Sequence, residues 1–252
     1  MIGEEELLYK RFLELGRKSQ SCHYYIFTDF LGLMERSVFE EAKRELGPVP
    51  CTAFGGTHGC ERVMIRFGDP SELGYEEPFP IKILEITPLS PKFAEKLSHR
   101  DYLGSILALG IERCKIGDIV ILEDSAYLFA SEDIADYVKE SLSRIRRTDV
   151  RCEYCEELPE GELFKTRRVK IQASGERVDA VVAKVFSLSR EEASRLFVKR
   201  CIFIDGKLCE NQSKVPKVGS TVSVRGYGRF IYLGYETLTK KGKKNIEVDL
   251  FV

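Results

Sequence analysis

Two stretches of this chain read as boundaries between packing units, and they limit what its 252 residues can build. One runs DPSELGYEEPFP around residues 70–80, the other ELPEGELFKTRR at 157–168. Proline withholds a backbone donor and glycine is costly to order, so both stretches read as breaks between packing units. The breaks predict three units: 1–74, 75–164 and 165–252. No apolar run approaches the roughly 18–20 residues that a bilayer-spanning helix needs. The first residues, MIGEEELLYKRF, are acidic and amphipathic rather than signal-like, so the expectation is a cytoplasmic protein with no membrane partner.

Hydrophobic periodicity predicts an α+β fold. In 1–74, Leu8, Phe12 and Leu15 share one helical face, and Leu31, Met34, Val38 and Ala42 repeat at helical steps until Gly47 and Pro48. Tyr24–Phe27, Thr52–Phe54 and Val63–Phe67 read as strands, which makes this a small α/β unit. The loop GGTHGCER has glycines but lacks the Gly-Lys-Ser/Thr ending of a phosphate loop. In 75–164, strands are expected at Ile81–Ile86, Asp118–Glu123, Ala126–Ala130 and Val150–Glu156. The middle pair flanks a turn at Asp124 and Ser125. Helix is expected within Ser90–Gly110 and after the capping residue Ser131. The order β-α-β-β-α-β is that of a ferredoxin-like or RRM-like domain. Its third strand, SAYLFAS, carries Tyr127 and Phe129 without the glycine and basic residue of a base-stacking motif. Core packing accounts for these rings at least as well. His99, Arg100 and Asp101 form a charge cluster at a helix start, open to reading as a contact with RNA or protein.

Charge singles out the third unit. Residues 165–252 hold 19 Lys and Arg against 9 Asp and Glu, whereas the rest of the chain holds 20 against 31. Such polarity points to a polyanionic partner for the basic part. Here a strand at Arg168–Gln172 leads into a helix with Val178, Val181, Val182, Val185 and Phe186 on one stripe. Ser189 and Glu192 have the spacing of a capping box for a second helix, whose apolar stripe is Ala193, Leu196 and Phe197. Arg190, Arg195 and Lys199 fall outside that stripe and, with Arg200, predict a basic ridge. Strands are expected at Ile202–Ile204 and Thr221–Arg225, with a two-residue hairpin turn at Asp205-Gly206. The last two strands flank the basic tip LTKKGKKN. Arg and Lys on a short rigid helix suit phosphates along a backbone, with Ser189 and Ser213 able to donate to phosphate or 2′-hydroxyl oxygens. Lys214 and Arg229 lie in neighbouring basic loops. Nothing resembles a base-reading code, so recognition of RNA shape is expected.

The eight cysteines are scattered, and the only close pair is Cys152 and Cys155. A closed zinc site needs four ligands, so no metal or other cofactor is expected, and the pair reads as small side chains on a strand.

The run from Arg177 to Gly226 resembles the S4 RNA-binding domain. It has an Arg-x-Asp helix start, Ser-Arg before the second helix, Asp-Gly-Lys in the hairpin and Val-x-x-Val-Gly-Ser before the last strand. With FTDFL, HRDYLGSILALGIERCKIGDI and RGYGRF, the whole chain is similar to the YlmH family of bacterial S4 proteins. That resemblance implies an RNA-binding, ribosome-associated protein with no catalytic centre, whose partner is rRNA of the large ribosomal subunit, peptidyl-tRNA, or both. It also implies a role in translation quality control and a link with cell division. It carries RNA contact to Arg177, Ser189, Arg190, Arg195, Lys199, Lys207, Ser213 and Arg225. Many S4 domains have glycine after the second helix; Arg200 stands there in this chain. The motifs of S4-bearing enzymes are absent: there is no large domain after the S4 run, no His-Ile-Gly-His and no Lys-Met-Ser-Lys-Ser. The remaining alternatives are a protein-binding adaptor tethered to RNA through S4 and an RNA-modifying enzyme.

Overall fold

The computed structural model describes residues 2–122, 125–159, 163–238 and 242–251. The chain forms two compact units, Met1–Leu163 and Phe164–Val252. Of the expected features, Asp124 in the predicted turn and Lys240 and Lys241 in the basic tip lie outside the described residues.

The first unit opens with α1 (Ile2–Cys22), β1 (Ile26–Phe27), α2 (Leu33–Leu46), β2 (Cys51–Phe54), β3 (Met64–Phe67) and the one-turn α3 (Pro70–Leu73). The strands pair antiparallel in the order β1-β3-β2. Phe12 and Leu15 of α1 meet Val38, Phe39 and Ala42 of α2 over Ile65 and Phe67. All of β3 is buried, so its neighbours cover both faces and the expected alternation disappears.

A second sheet follows in the same unit. Its elements are β4 (Ile81–Pro88), α4 (His99–Leu107), β5 (Ile116–Ile121), β6 (Ala126–Ser131), α5 (Glu132–Ser141), β7 (Arg144–Ile145) and β8 (Thr148–Tyr154). The strand order is β5-β6-β4-β8-β7 with every pairing antiparallel. The β-α-β-β-α-β succession is present, with the short β7–β8 hairpin added. The helix expected somewhere in Ser90–Gly110 occupies only its second half. Pro91 starts a short 3-10 turn, and the side chains of Ser98 and Asp101 form the capping box that fixes the start of α4 at His99. Tyr102 and Ile106 of α4 and Ala135 and Val138 of α5 pack on Leu84, Ile86, Leu128, Val150 and Cys152 of the sheet.

The stretch at 70–80 is tied down rather than free. Tyr25 donates its hydroxyl to the Tyr75 carbonyl at 2.7 Å, and Arg66 donates to the Glu77 carbonyl at 2.7 Å. The Phe79 ring lies 5.5 Å from Phe27 and 5.3 Å from Phe54, with the Arg66 guanidinium over it. The two sheets are also clipped by Arg62, which donates to the carbonyls of Phe30 and Ile116 at 2.9 and 2.8 Å. Asp118 in turn accepts from the Glu61 N–H at 2.6 Å. Residues 1–74 and the following sheet therefore share one compact unit.

The second unit contains β9 (Thr166–Ala173), α6 (Val178–Val185), α7 (Arg190–Val198), β10 (Ile202–Ile204), β11 (Lys207–Leu208), β12 (Thr221–Val224), β13 (Gly228–Leu238) and β14 (Lys244–Phe251). One sheet runs β11-β10-β12-β13-β14-β9, again antiparallel throughout. Val178, Val181 and Val182 of α6 and Leu196 and Phe197 of α7 close over Ile202, Val222, Phe230, Ile246 and Val248. Asp205 and Gly206 both have positive φ, 52° and 77°, as the two central residues of a type I′ hairpin turn require.

Candidate nucleic-acid interface

The two helices of the second unit are joined and ended by the same device. Phe186 caps α6 and Ser187 follows at φ 54°; the Leu188 N–H then donates to the Ala183 carbonyl at 2.7 Å. At the end of α7, Arg200 has φ 54°, its N–H donates to Phe197 and the Cys201 N–H donates to Leu196, both at 2.9 Å. These are Schellman closures with a non-glycine residue in the left-handed position. The departure at Arg200 thus leaves the glycine-type backbone intact and adds a cation at the helix C-terminus, where the helix dipole favours it.

Ser189 forms the expected capping box: its Oγ accepts the Glu192 N–H at 3.1 Å, and Glu192 accepts the Ser189 N–H at 2.8 Å. These hydrogen bonds hold the Glu192 carboxyl below the usual carboxylate range. The first donors of α6 are occupied by the loop at 211–214: Val178 N–H donates to the Lys214 carbonyl at 2.8 Å and Asp179 N–H to the Gln212 carbonyl at 3.4 Å. The side chains of Ser194 and Gln212 join α7 to the same loop, and Asn211 turns it by accepting the Ser213 N–H at 2.9 Å. With its helix start occupied in this way, α6 leaves the gripping of phosphate here to side chains.

Helical geometry divides the basic ridge into two rows. Arg190, Ser194 and Val198 lie at four-residue steps on one row, and Glu191, Arg195 and Lys199 on the next. The Ser194 row faces the loop that carries Ser213 and Lys214, and Arg177 stands at the α6 start beside that loop. Arg177 is paired with Asp179 at 2.8 Å, the arginine half exposed and the aspartate mostly covered, and Arg195 is paired with Glu191 at 2.5 Å, both side chains exposed. Such exposed pairs are worth about 0–1 kcal/mol, so a phosphate can replace the carboxylate at small cost. Arg225 follows β12 and donates its N–H to Cys201 at 2.8 Å, next to Arg200, whose guanidinium lies 3.9 Å from Glu210. Lys207 stands at the hairpin tip, opposite Ile204. Arg229 is placed differently: its guanidinium lies 4.1 Å from the centre of the Phe251 ring and 4.9 Å from that of Phe164.

The acidic side chains of the sheet explain where the positive excess goes. Arg168 pairs with Asp249 at 2.6 Å and Lys170 with Glu247 at 2.5 Å, each directly across from its partner on β9 and β14. Lys244 pairs with Glu176, which also accepts from the Tyr232 hydroxyl at 2.5 Å. The sheet is thereby largely neutralised. Exposed Arg190, Lys199, Lys214 and Arg225 have no ion-pair partner among the described residues, and they cluster about α7, its ends and the adjoining loop. Sequence reading missed the Gln212–Ser194 contact and the clip in which Asp205 accepts from Ser220 and Thr221, both at 2.8 Å. Neither depends on a periodic pattern.

The rings of the RRM-like strand β6 are not presented for stacking. Tyr127 is 6% exposed and gives its hydroxyl to Glu85 at 2.8 Å. Phe129 is fully buried; a Cβ at Gly56 would stand 2.4 Å from its ring and one at Gly117 would stand 3.0 Å from its Cβ. On the same sheet face Glu85 stands directly opposite Glu153. Core packing is the observed role of both aromatics. Of the Cys152–Cys155 pair, Cys152 lies in the core, where burial pushes its thiol up to about 12, and the Cys155 thiol donates to the Glu157 carbonyl at 3.1 Å. Among the described residues no group of three or more His, Cys, Asp or Glu side chains could hold a metal ion. No described helix is long and apolar enough to cross a membrane.

Comparison with known proteins then bears on the whole chain. Residues 75–158 match the family described as "Putative RNA-binding domain in YlmH". A Bacillus subtilis (strain 168) protein named "Ribosome-associated protein quality control protein P2" is 28% identical over 248 residues, covering 95% of this chain and 93% of its own. The resemblance to the YlmH family is shown. A solved structure, the cell division protein YlmH from Streptococcus pneumoniae, is 24% identical, covers 60% of this chain and 91% of its own, and has a TM-score of 0.49. The YlmH match falls on the sheet of β4–β8, outside the unit where the cations of α7 lie.

Proposed function

We propose that this chain is a ribosome-associated RNA-binding protein whose second unit is an S4-type module gripping structured RNA through α7 and its flanking loops. The observation that carries the proposal is the set of exposed Arg190, Lys199, Lys214 and Arg225 about one short helix, unpaired among the described residues, while Arg168, Lys170 and Lys244 of the sheet beside it are paired with carboxylates. The YlmH-type segment and the ribosome-associated name of the Bacillus relative support the same reading. Phosphate contacts of this kind fix register on an RNA surface without reading bases. The finer assignment is rRNA of the large subunit, with or without peptidyl-tRNA, during translation quality control in the cytoplasm. The protein acts there by binding and has no reaction of its own.

The test is Arg190→Glu combined with Lys214→Glu in the full chain. Both side chains are exposed, so the fold is expected to survive. The variant is expected to leave ribosomal large subunits in sedimentation at physiological salt, where the wild type stays bound. Each lost phosphate contact should also lower the log–log salt slope of binding to rRNA by roughly 0.7–0.9. An unchanged slope with unchanged sedimentation refutes the assignment.

A further inference from the structure

We propose that the first unit carries a second RNA-contacting surface, at the end of its β4–β8 sheet rather than on the sheet face, built from Lys92, Phe93, Lys96, Arg100, Arg146 and Arg147. The inference rests on the RNA-binding reading above and names a separate place for it.

The sheet face is unsuited to RNA. Its central ring, Phe129, is buried, Tyr127 is held by Glu85, and Glu85 and Glu153 present like charges side by side. Around it, the part of the chain before residue 165 is acidic. Against that background, two short segments gather cations. The 3-10 turn Pro91–Phe93 and the irregular stretch after it lie along the β7–β8 hairpin: the Leu89 N–H donates to the Asp149 carbonyl at 2.9 Å, and the Glu95 N–H donates to the Thr148 hydroxyl at 3.1 Å. The hairpin turn is Arg146-Arg147, with Arg146 at φ 52°. Arg146 reaches Asp101 of α4 at 3.4 Å, which places the start of that helix, with Arg100, beside the turn. Asp101 is committed to the Ser98 capping box. Arg100, Arg147, Lys92 and Lys96 are exposed and have no ion-pair partner among the described residues.

Phe93 decides the kind of partner. Its ring is 88% exposed, between the cations Lys92 and Lys96 in sequence. An exposed ring set among cations is the combination by which proteins hold an unpaired base against its own phosphates. The surface therefore fits a single-stranded or bulged nucleotide flanked by backbone, whereas α7 and its loops fit phosphates of a structured region. The charge cluster noted in the sequence at His99-Arg100-Asp101 is part of it.

The experiment compares four full-length proteins against purified large-subunit rRNA over a salt series: wild type, Phe93→Ala, Arg100→Glu with Arg147→Glu, and Arg190→Glu with Lys214→Glu. Phe93→Ala should bind about five- to tenfold more weakly with an unchanged salt slope, and Phe93→Trp should restore binding. The Arg100 and Arg147 reversal should lower the slope by roughly 1.4–1.8. If both first-unit variants bind like wild type while the α7 variant fails, this surface is refuted and the α7 reading stands. In that case an acidic protein becomes the partner to seek for the patch. If wild type itself does not bind rRNA, both readings fall. If Phe93→Ala and the reversal lose binding but the α7 variant does not, the first-unit surface stands alone.

Discussion

At the scale of single residues, Arg200 carries both a conformational cost and a charge. A side chain in the left-handed region costs roughly 1–2 kcal/mol, and glycine recovers most of this less its own entropy. Arg200→Gly is therefore expected to raise stability by about 0.5–1 kcal/mol in urea unfolding. If Arg200 touches RNA, the same variant binds rRNA more weakly, and the opposite signs separate the two roles. Arg200 could be flagged from the sequence because glycine is usual at that place in S4 domains. Ser187, in the same conformation at the end of α6, could not, since nothing in a Ser-Leu-Ser run requires a positive φ. Tyr127 and Phe129 show a related limit. Their alternation on a strand was readable, but whether another element covers that face depends on Gly56 and Phe30, far away in the chain.

At the scale of elements, local chemistry was the most legible part. The Ser189–Glu192 capping box and the Asp205-Gly206 turn stand where their spacing puts them, because each is closed by residues three or fewer apart. Ser189→Ala is expected to cost about 1 kcal/mol of stability, measurable as a shift in urea midpoint. The helix start read at His99-Arg100-Asp101 is where α4 begins, because the local Ser98–Asp101 box fixes it, although the wider range Ser90–Gly110 left the first half of that stretch unassigned. The hairpin β7–β8 escaped notice because its first strand has only two residues. An acid response belongs to this scale as well. Burial alone would raise the Glu176 carboxyl, but hydrogen bonds from Lys244 and Tyr232 outweigh it and hold it below the usual range. A carboxyl depressed in the folded state contributes stability above its unfolded value, and that contribution is lost as pH falls through the folded one. Thermal melts of the wild type should therefore decline more steeply below roughly pH 4 than those of Glu176→Gln, which cannot titrate.

At the scale of the whole molecule, composition revealed the division of charge but not its use. The basic excess after residue 165 was countable, yet only the cross-strand pairs of β9 and β14 show that Arg168 and Lys170 are matched by carboxylates while Arg190, Lys199, Lys214 and Arg225 about α7 are not. The acidic remainder likewise hid the cations beside Phe93, because a net count averages over distance. If both surfaces hold the same RNA, they share no residue, and their losses should add in log Kd. Combining Arg100→Glu and Arg147→Glu with Arg190→Glu and Lys214→Glu should then weaken rRNA binding by the product of the two separate factors, until nonspecific binding sets a floor. Filter binding at moderate salt reads this directly. A combined variant no weaker than the worse of its parents would mean that the two surfaces depend on each other, because losing one then already releases the RNA from the other, which has no affinity left to lose.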